Sequence, residues 1–291
     1  MKSFGQEFYP YEAIRALKFA DKTRITDRRA LVEHIASQLP QPSEMTRLRV
    51  AAKFVQRYFS GTRRDIVPPP QAQPFVRLVA RGRHAPTQIE LLFYQLTKTD
   101  AVVGALAREL FHPVCVLGRP PHGYSTGEFA ARNGGQLLAP APLLTRGFIL
   151  DFARQRWRFT NRSTIDRALR VLQGAGLVAR ERQTELRGHP TAFRLTQHDV
   201  SLVTFLFALH DEFLPHAGNA HNTASAGGLA IGCDVLPVSD FARTLLLSPA
   251  QTEAHCHAAR AHQLLAQQGR TLRLVFGNMD ALVDALLTKA I

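Results

Sequence analysis

Apolar side chains return at helical intervals between residues 163 and 173. At about 100° per residue, Ile165, Ala168, Leu169 and Leu172 fall on one face of a helix, and Ser163, Arg167 and Arg170 on the opposite one. Asp166 lies on the flank and Arg162 just ahead of the first turn. The run "GAG" at 174–176 stops this helix. The period then changes from helical to alternating in "LVARER" (177–182) and "TAFRLT" (191–196), which predicts two strands joined by the polar turn "QTELRGHP". Upstream, "LLTRGFILDFARQRWRF" (143–159) predicts a helix whose Phe148, Ile149, Phe152 and Trp157 can pack beneath the first.

Elsewhere the pattern is mostly helical. Thr26, Ser43, Thr87 and Asp100 stand as N-cap candidates for amphipathic stretches ending near Gln38, Phe59, Thr97 and Phe111. In the last third, Ser248 caps a helix with Pro249 at its first position, a strand follows the stop at "QQG", and "NMDALVDALL" (278–287) reads as a capped terminal helix. Gly and Pro punctuate 117–142, and small residues fill 215–232. The expected organisation is a helical N-terminal domain over 1–118, a Gly/Pro-rich linker or long loop over 119–140, a basic module over 141–197 and an α-rich domain over 198–291. The fold class is therefore mainly α.

Charge sharpens this division. The chain of 291 residues has a formal net charge of +13, which attracts polyanions over about a Debye length. Arginine richness can follow from a GC-rich genome, so its distribution is the better guide. Residues 1–118 carry +8, 119–140 carry +1, 141–197 carry +7 and 198–291 carry −3. The charge is densest in the short segment that holds the arginine-bearing helix, and the acidic last third argues against polyanion contact there.

Helix, glycine turn, strand, basic loop, strand is the order of a winged helix. Through "STIDRALRVLQGAGLVARER" and its wing, the chain resembles the winged-helix (helix-turn-helix) superfamily of DNA-binding domains over about a fifth of its length. The resemblance implies a recognition helix directed at the major groove, with Arg162, Ser163, Thr164, Arg167 and Arg170 as contacts, and a wing tip at Arg187 and His189 near a phosphate or the minor groove. Arginine's forked donors suit guanine edges and phosphates. Arg47, Arg49, Lys53, Arg57, Arg63 and Arg64, on and after the second N-terminal helix, form a second candidate phosphate surface. The layout of a helical bundle followed by a winged helix is also similar to small accessory proteins of BREX phage-defence islands. The last third reads either as a degenerate second winged helix or as an oligomerisation unit.

Enzyme signatures are sparse: a Walker A loop, a dinucleotide fingerprint and HExxH are all missing. "GYSTG" (123–127) matches the nucleophile elbow of serine hydrolases at Ser125, but "RPPH" occupies the place of the strand that an elbow needs. His255, Cys256, His257 and His262 are metal-capable types, yet on a helix His255 and His257 diverge by about 200° and no second pair accompanies them. No metal and no cofactor are expected. Three scattered cysteines, an N-terminus without an apolar signal core, and a greasiest run of only "VSLVTFLFAL" predict a cytoplasmic protein without membrane contact. The sequence thus predicts a non-enzymatic binder of double-stranded DNA, most simply a bacterial transcriptional regulator, with assembly or protein partners served by the C-terminal domain. A phage-defence or DNA-processing accessory protein, a protein-docking adaptor and a serine hydrolase are the alternatives.

Overall fold

A computed structural model describes residues 9–59, 65–133, 142–158, 161–182, 191–196, 199–217 and 230–289. In chain order the elements begin with α1 (Pro10–Ala20), α2 (Arg28–Ala36), α3 (Glu44–Tyr58), α4 (Pro74–Arg81) and α5 (Ala85–Thr99). There follow α6 (Ala101–Ala105), which runs into wider π-helical turns over Leu106–Val116, then α7 (Thr126–Arg132), β1 (Leu144–Thr145), α8 (Arg146–Trp157) and α9 (Arg162–Gly174). The chain continues through β2 (Val178–Arg182), β3 (Thr191–Leu195), α10 (Leu202–Ala217), β4 (Ala230–Gly232) and α11 (Asp240–Thr244). It closes with α12 (Pro249–Ala261), β5 (Leu265–Gln268), β6 (Thr271–Leu274) and α13 (Met279–Thr288). Among the described residues the fold is mainly helical, with two small three-stranded antiparallel sheets ordered β1-β3-β2 and β4-β6-β5.

Chain order and compactness part company. One compact unit comprises residues 1–99, 200–236 and 252–291, and the other comprises 100–199 and 237–251. Residues 198–291, expected as one domain, are divided between the two.

In the first unit, α2 packs on α3, α1 on α4 and α5, and α13 on α4 and α10. Leu17, Leu31, Ile35, Phe54, Tyr58, Phe75, Leu92 and Phe207 fill its core. Asp27, one residue beyond the expected Thr26, caps α2 by accepting from the Ala30 amide at 2.7 Å. Arg77, only 14% exposed, donates to Asp280 at 3.0 Å and forms an ion pair with Asp284 at 3.2 Å, tying α4 to α13.

The second unit owes its form to a run of aromatic contacts. Phe148 packs edge-on against Phe129 at 5.1 Å and Tyr124 at 5.6 Å, and Trp157 stands edge-on to Phe152 at 5.3 Å. The π-helical turns contain Pro113, which lacks an amide to donate, and they end with the Leu117 amide bonded to the His112 carbonyl five residues back. The segment expected as a linker holds α7, capped by Ser125. Its boundary residue Asn133, fully buried, donates to the Leu143 carbonyl and accepts from the Thr145 amide, which fixes β1 in place.

One topology occurs twice. Strand, helix, helix, strand, strand runs through β1-α8-α9-β2-β3 and again through β4-α11-α12-β5-β6, each sheet placing its last strand in the centre. No helix among the described residues is long and apolar enough to cross a membrane.

Candidate nucleic-acid interface

Three local decisions build α9. Asn161 caps it by accepting from the Ser163 amide at 3.0 Å and the Ser163 hydroxyl at 2.7 Å. Ile165, Ala168, Leu169 and Leu172 are buried as the periodicity requires, so the helix lies on β2 and α8. After its last residue, Gly176 turns the chain at φ +74°, a conformation that side chains with a Cβ resist. The strands then follow in the expected places, with Val178 opposite Leu195 and Arg180 opposite Phe193. The two residues of β1, hidden inside the expected helix, extend the sheet on the far side of β3.

The arginines divide into those that are free and those that are not. Arg162 and Ser163 are exposed at the start of α9, Thr164 is half-buried, and Arg170 is exposed and forms no ion pair among the described residues. Arg167 does not share that face. It turns onto Asp100 at 2.9 Å with 19% of its side chain exposed, because α6 lies against this flank of α9. The expectation that Arg167 projects with Arg170 into solvent is therefore corrected. Asp166 is likewise occupied, accepting from Nε and Nη2 of Arg146 at 2.8 and 2.6 Å. That bidentate pair raises the Arg146 pKa above its ordinary value. Arg187 and His189 lie outside the described residues, as do Arg63 and Arg64.

Sequence reasoning passed over Arg146, Arg154, Arg158 and Arg180. Arg154 and Arg158 are exposed in and after the last turn of α8, and Arg158 takes a left-handed backbone at φ +53° where the chain turns toward α9. Arg180 lies on the same strand face as buried Val178, and an arginine at such an inward register position is a signal the alternation already contained. Arg146 left no comparable signal. Arg146, Arg170 and Arg180 converge on a cleft of about 400 Å³, with Leu169 and Phe193 in its lining. The second unit carries 15 arginines, no lysine and nine acidic residues, a net charge of +6.

On α3, Arg49 is exposed and Lys53 and Arg57 are half-buried, a stripe at helical spacing. Arg47 is instead a brace, donating to the carbonyls of Gln41 and Pro42 at 2.9 and 3.2 Å.

Ser125 serves α7. Its backbone is extended, its hydroxyl accepts from the Glu128 amide at 3.2 Å, and Glu128 returns the bond to the Ser125 amide at 2.9 Å. A nucleophile elbow places its serine on a sharp strand-to-helix turn, and no strand among the described residues leads into Ser125. His255 stacks on Phe205 at 4.9 Å beside buried Cys256. Among the described residues no group of three or more His, Cys, Asp or Glu side chains is placed to hold a metal ion.

No family model matches the chain, and no curated protein matches it significantly. Among solved structures, the chain is similar to a magnesium ion-bound crystal structure of SspB, with 14% identity, a TM-score of 0.51 and coverage of 98% of this chain and 87% of that one. At that identity the likeness concerns the fold alone.

Proposed function

We propose that the chain is a DNA-binding protein, most simply a transcriptional regulator, whose contact module is the winged helix α7-β1-α8-α9-β2-β3. In this reading α9 is the recognition helix and the β2–β3 hairpin is the wing. The observation that carries it is the conjunction of that strand and helix order with exposed cations at the start of α9. Arg154, Arg158 and Arg162 follow one another around the α8–α9 turn, where the positive end of the α9 dipole also favours phosphate.

The repeated topology supplies an internal comparison. At the equivalent place, α12 exposes Glu253 and His257 rather than arginines, so the basic face belongs to α9 and is no by-product of the topology. Arg162, Ser163, Thr164 and Arg170 are the proposed contacts, and Arg49, Lys53 and Arg57 offer a second phosphate-facing stripe.

Anisotropy titrations of labelled duplexes at two salt concentrations test this. Replacing Arg162 and Arg170 by Ala should weaken binding by roughly 1–3 kcal/mol for each lost base contact, or lower the salt slope by about one for each lost phosphate contact. Unchanged affinity in the double variant would overturn the assignment. One observation favours a second reading, a protein-docking adaptor: Asp166 and Arg167 are already committed to partners within the fold. A partner protein lost by the same double variant, with DNA binding intact, selects that reading.

A further inference from the structure

The cleft between α9 and the hairpin has a composition that DNA contact does not require. One wall is the flank of α9 that carries Asp166, Leu169 and Arg170, and the other is the β2–β3 surface that carries Arg180 and Phe193, with Arg146 at the start of α8. Its volume of about 400 Å³ falls within the range of small-molecule sites. Leu169 and Phe193, almost wholly buried, close its base. Three guanidinium groups face a single carboxylate, so the lining carries a net charge of +2.

The three arginines differ in how far they are committed. Asp166 engages Nε and Nη2 of Arg146 and holds that guanidinium rigid, while Nη1 forms no bond to it. Arg180 spends one nitrogen on the Thr191 hydroxyl at 3.3 Å, a long bond that leaves its fork largely available. Arg170 forms no ion pair among the described residues. One braced and two available guanidiniums around a cleft of this size match the dianionic head of a phosphomonoester.

The geometry points to a binding site for a phosphomonoester the size of a nucleoside monophosphate. The phosphate lies among Arg146, Arg170 and Arg180, whose forks pair with its oxygens. Such a group has two natural sources, a free mononucleotide or the 5′-phosphorylated end of a nucleic acid strand. The site shares Arg170 with the proposed groove contact but not Arg146 or Arg180, so replacing Arg180 separates the two.

Calorimetric titration of the full-length protein with AMP, adenosine and inorganic phosphate tests the site. AMP and inorganic phosphate should bind, and adenosine should lose roughly tenfold or more, since the charged head supplies the pairing. Arg180→Ala should weaken AMP by at least about tenfold while its melting temperature and its affinity for a duplex with 5′-hydroxyl ends stay at the parent's values. Arg162→Ala should leave AMP binding unchanged. A duplex with 5′-phosphate tested against the same duplex with 5′-hydroxyl distinguishes the sources: preference for the phosphorylated end assigns the strand terminus, and equal binding alongside AMP binding assigns the free mononucleotide. AMP and adenosine binding alike, no binding by AMP, or full AMP affinity in a folded Arg180→Ala protein would overturn the site, whatever the outcome for DNA.

Discussion

Arg167 of α9 and Asp100, the N-cap of α6, form an ion pair at 2.9 Å with 19% and 12% of their side chains exposed. Asp100 performs two tasks at once, since its other carboxylate oxygen accepts from the Val103 amide at 3.3 Å and starts α6. The Arg167 Nε is buried with no hydrogen-bond partner among the described residues, so there the pair is incompletely satisfied. Removing one partner leaves a partly buried charge, a larger penalty than losing an exposed pair. Arg167→Ala should cost about 1–3 kcal/mol of stability and leave the DNA salt slope at the parent value. A double-mutant cycle with Asp100→Ala, read by chemical denaturation, measures the coupling. A stable Arg167→Ala variant with a lowered salt slope would return this arginine to the DNA-facing set.

Ser125 should behave as a helix cap. Ser125→Ala removes the reciprocal bonds with Glu128 and should destabilise the α7 region by about 1 kcal/mol, seen as faster amide exchange over residues 126–132. A serine-reactive phosphonate should leave Ser125 unmodified, and stoichiometric labelling there would contradict the capping role.

Periodicity made α9 and its hairpin legible because both bury a face locally: Ile165, Leu169 and Leu172 recur at helical spacing, and in β3 apolar Phe193 and Leu195 alternate with polar Arg194 and Thr196. What it could not supply were partners distant in sequence. Asp100 lies 67 positions before Arg167, and only the packing of α6 on α9 joins them. The strand β1 escaped because two residues carry no period, and its backbone is held by Asn133, which bonds the Leu143 carbonyl and the Thr145 amide ten and twelve positions on. Helix α7 was masked by glycine and proline around it, although Ser125 followed three residues later by Glu128 is a capping-box signal.

Burial should make two thiols sluggish. It pushes the Cys115 pKa to about 12 and that of Cys256 to about 11, and the thiolate is the reactive form. At pH 8 both should react with a disulfide reagent orders of magnitude more slowly in the native protein than after denaturation, as a time course with and without guanidinium will show.

The sharpest pH dependence should come from His210. It is fully buried in α10, its Nδ1 bonds the Leu206 carbonyl at 2.8 Å, and its Nε2 has no partner among the described residues. A neutral ring with the proton on Nδ1 suits this site, and desolvation lowers the pKa from 6.5 to about 4. As pH falls, the unfolded chain takes up the proton before the folded one does. The stabilisation is therefore complete above about pH 6.5 and lost progressively toward pH 4, with a total of roughly 3 kcal/mol. His112, also lowered by burial, acts in the same direction. His210→Asn retains a donor for the Leu206 carbonyl but removes the titration, so its stability should fall less steeply than the parent's between pH 6.5 and 4.5. Denaturation midpoints of parent and variant across that interval give the comparison, and parallel curves would mean that His210 is not the titrating group.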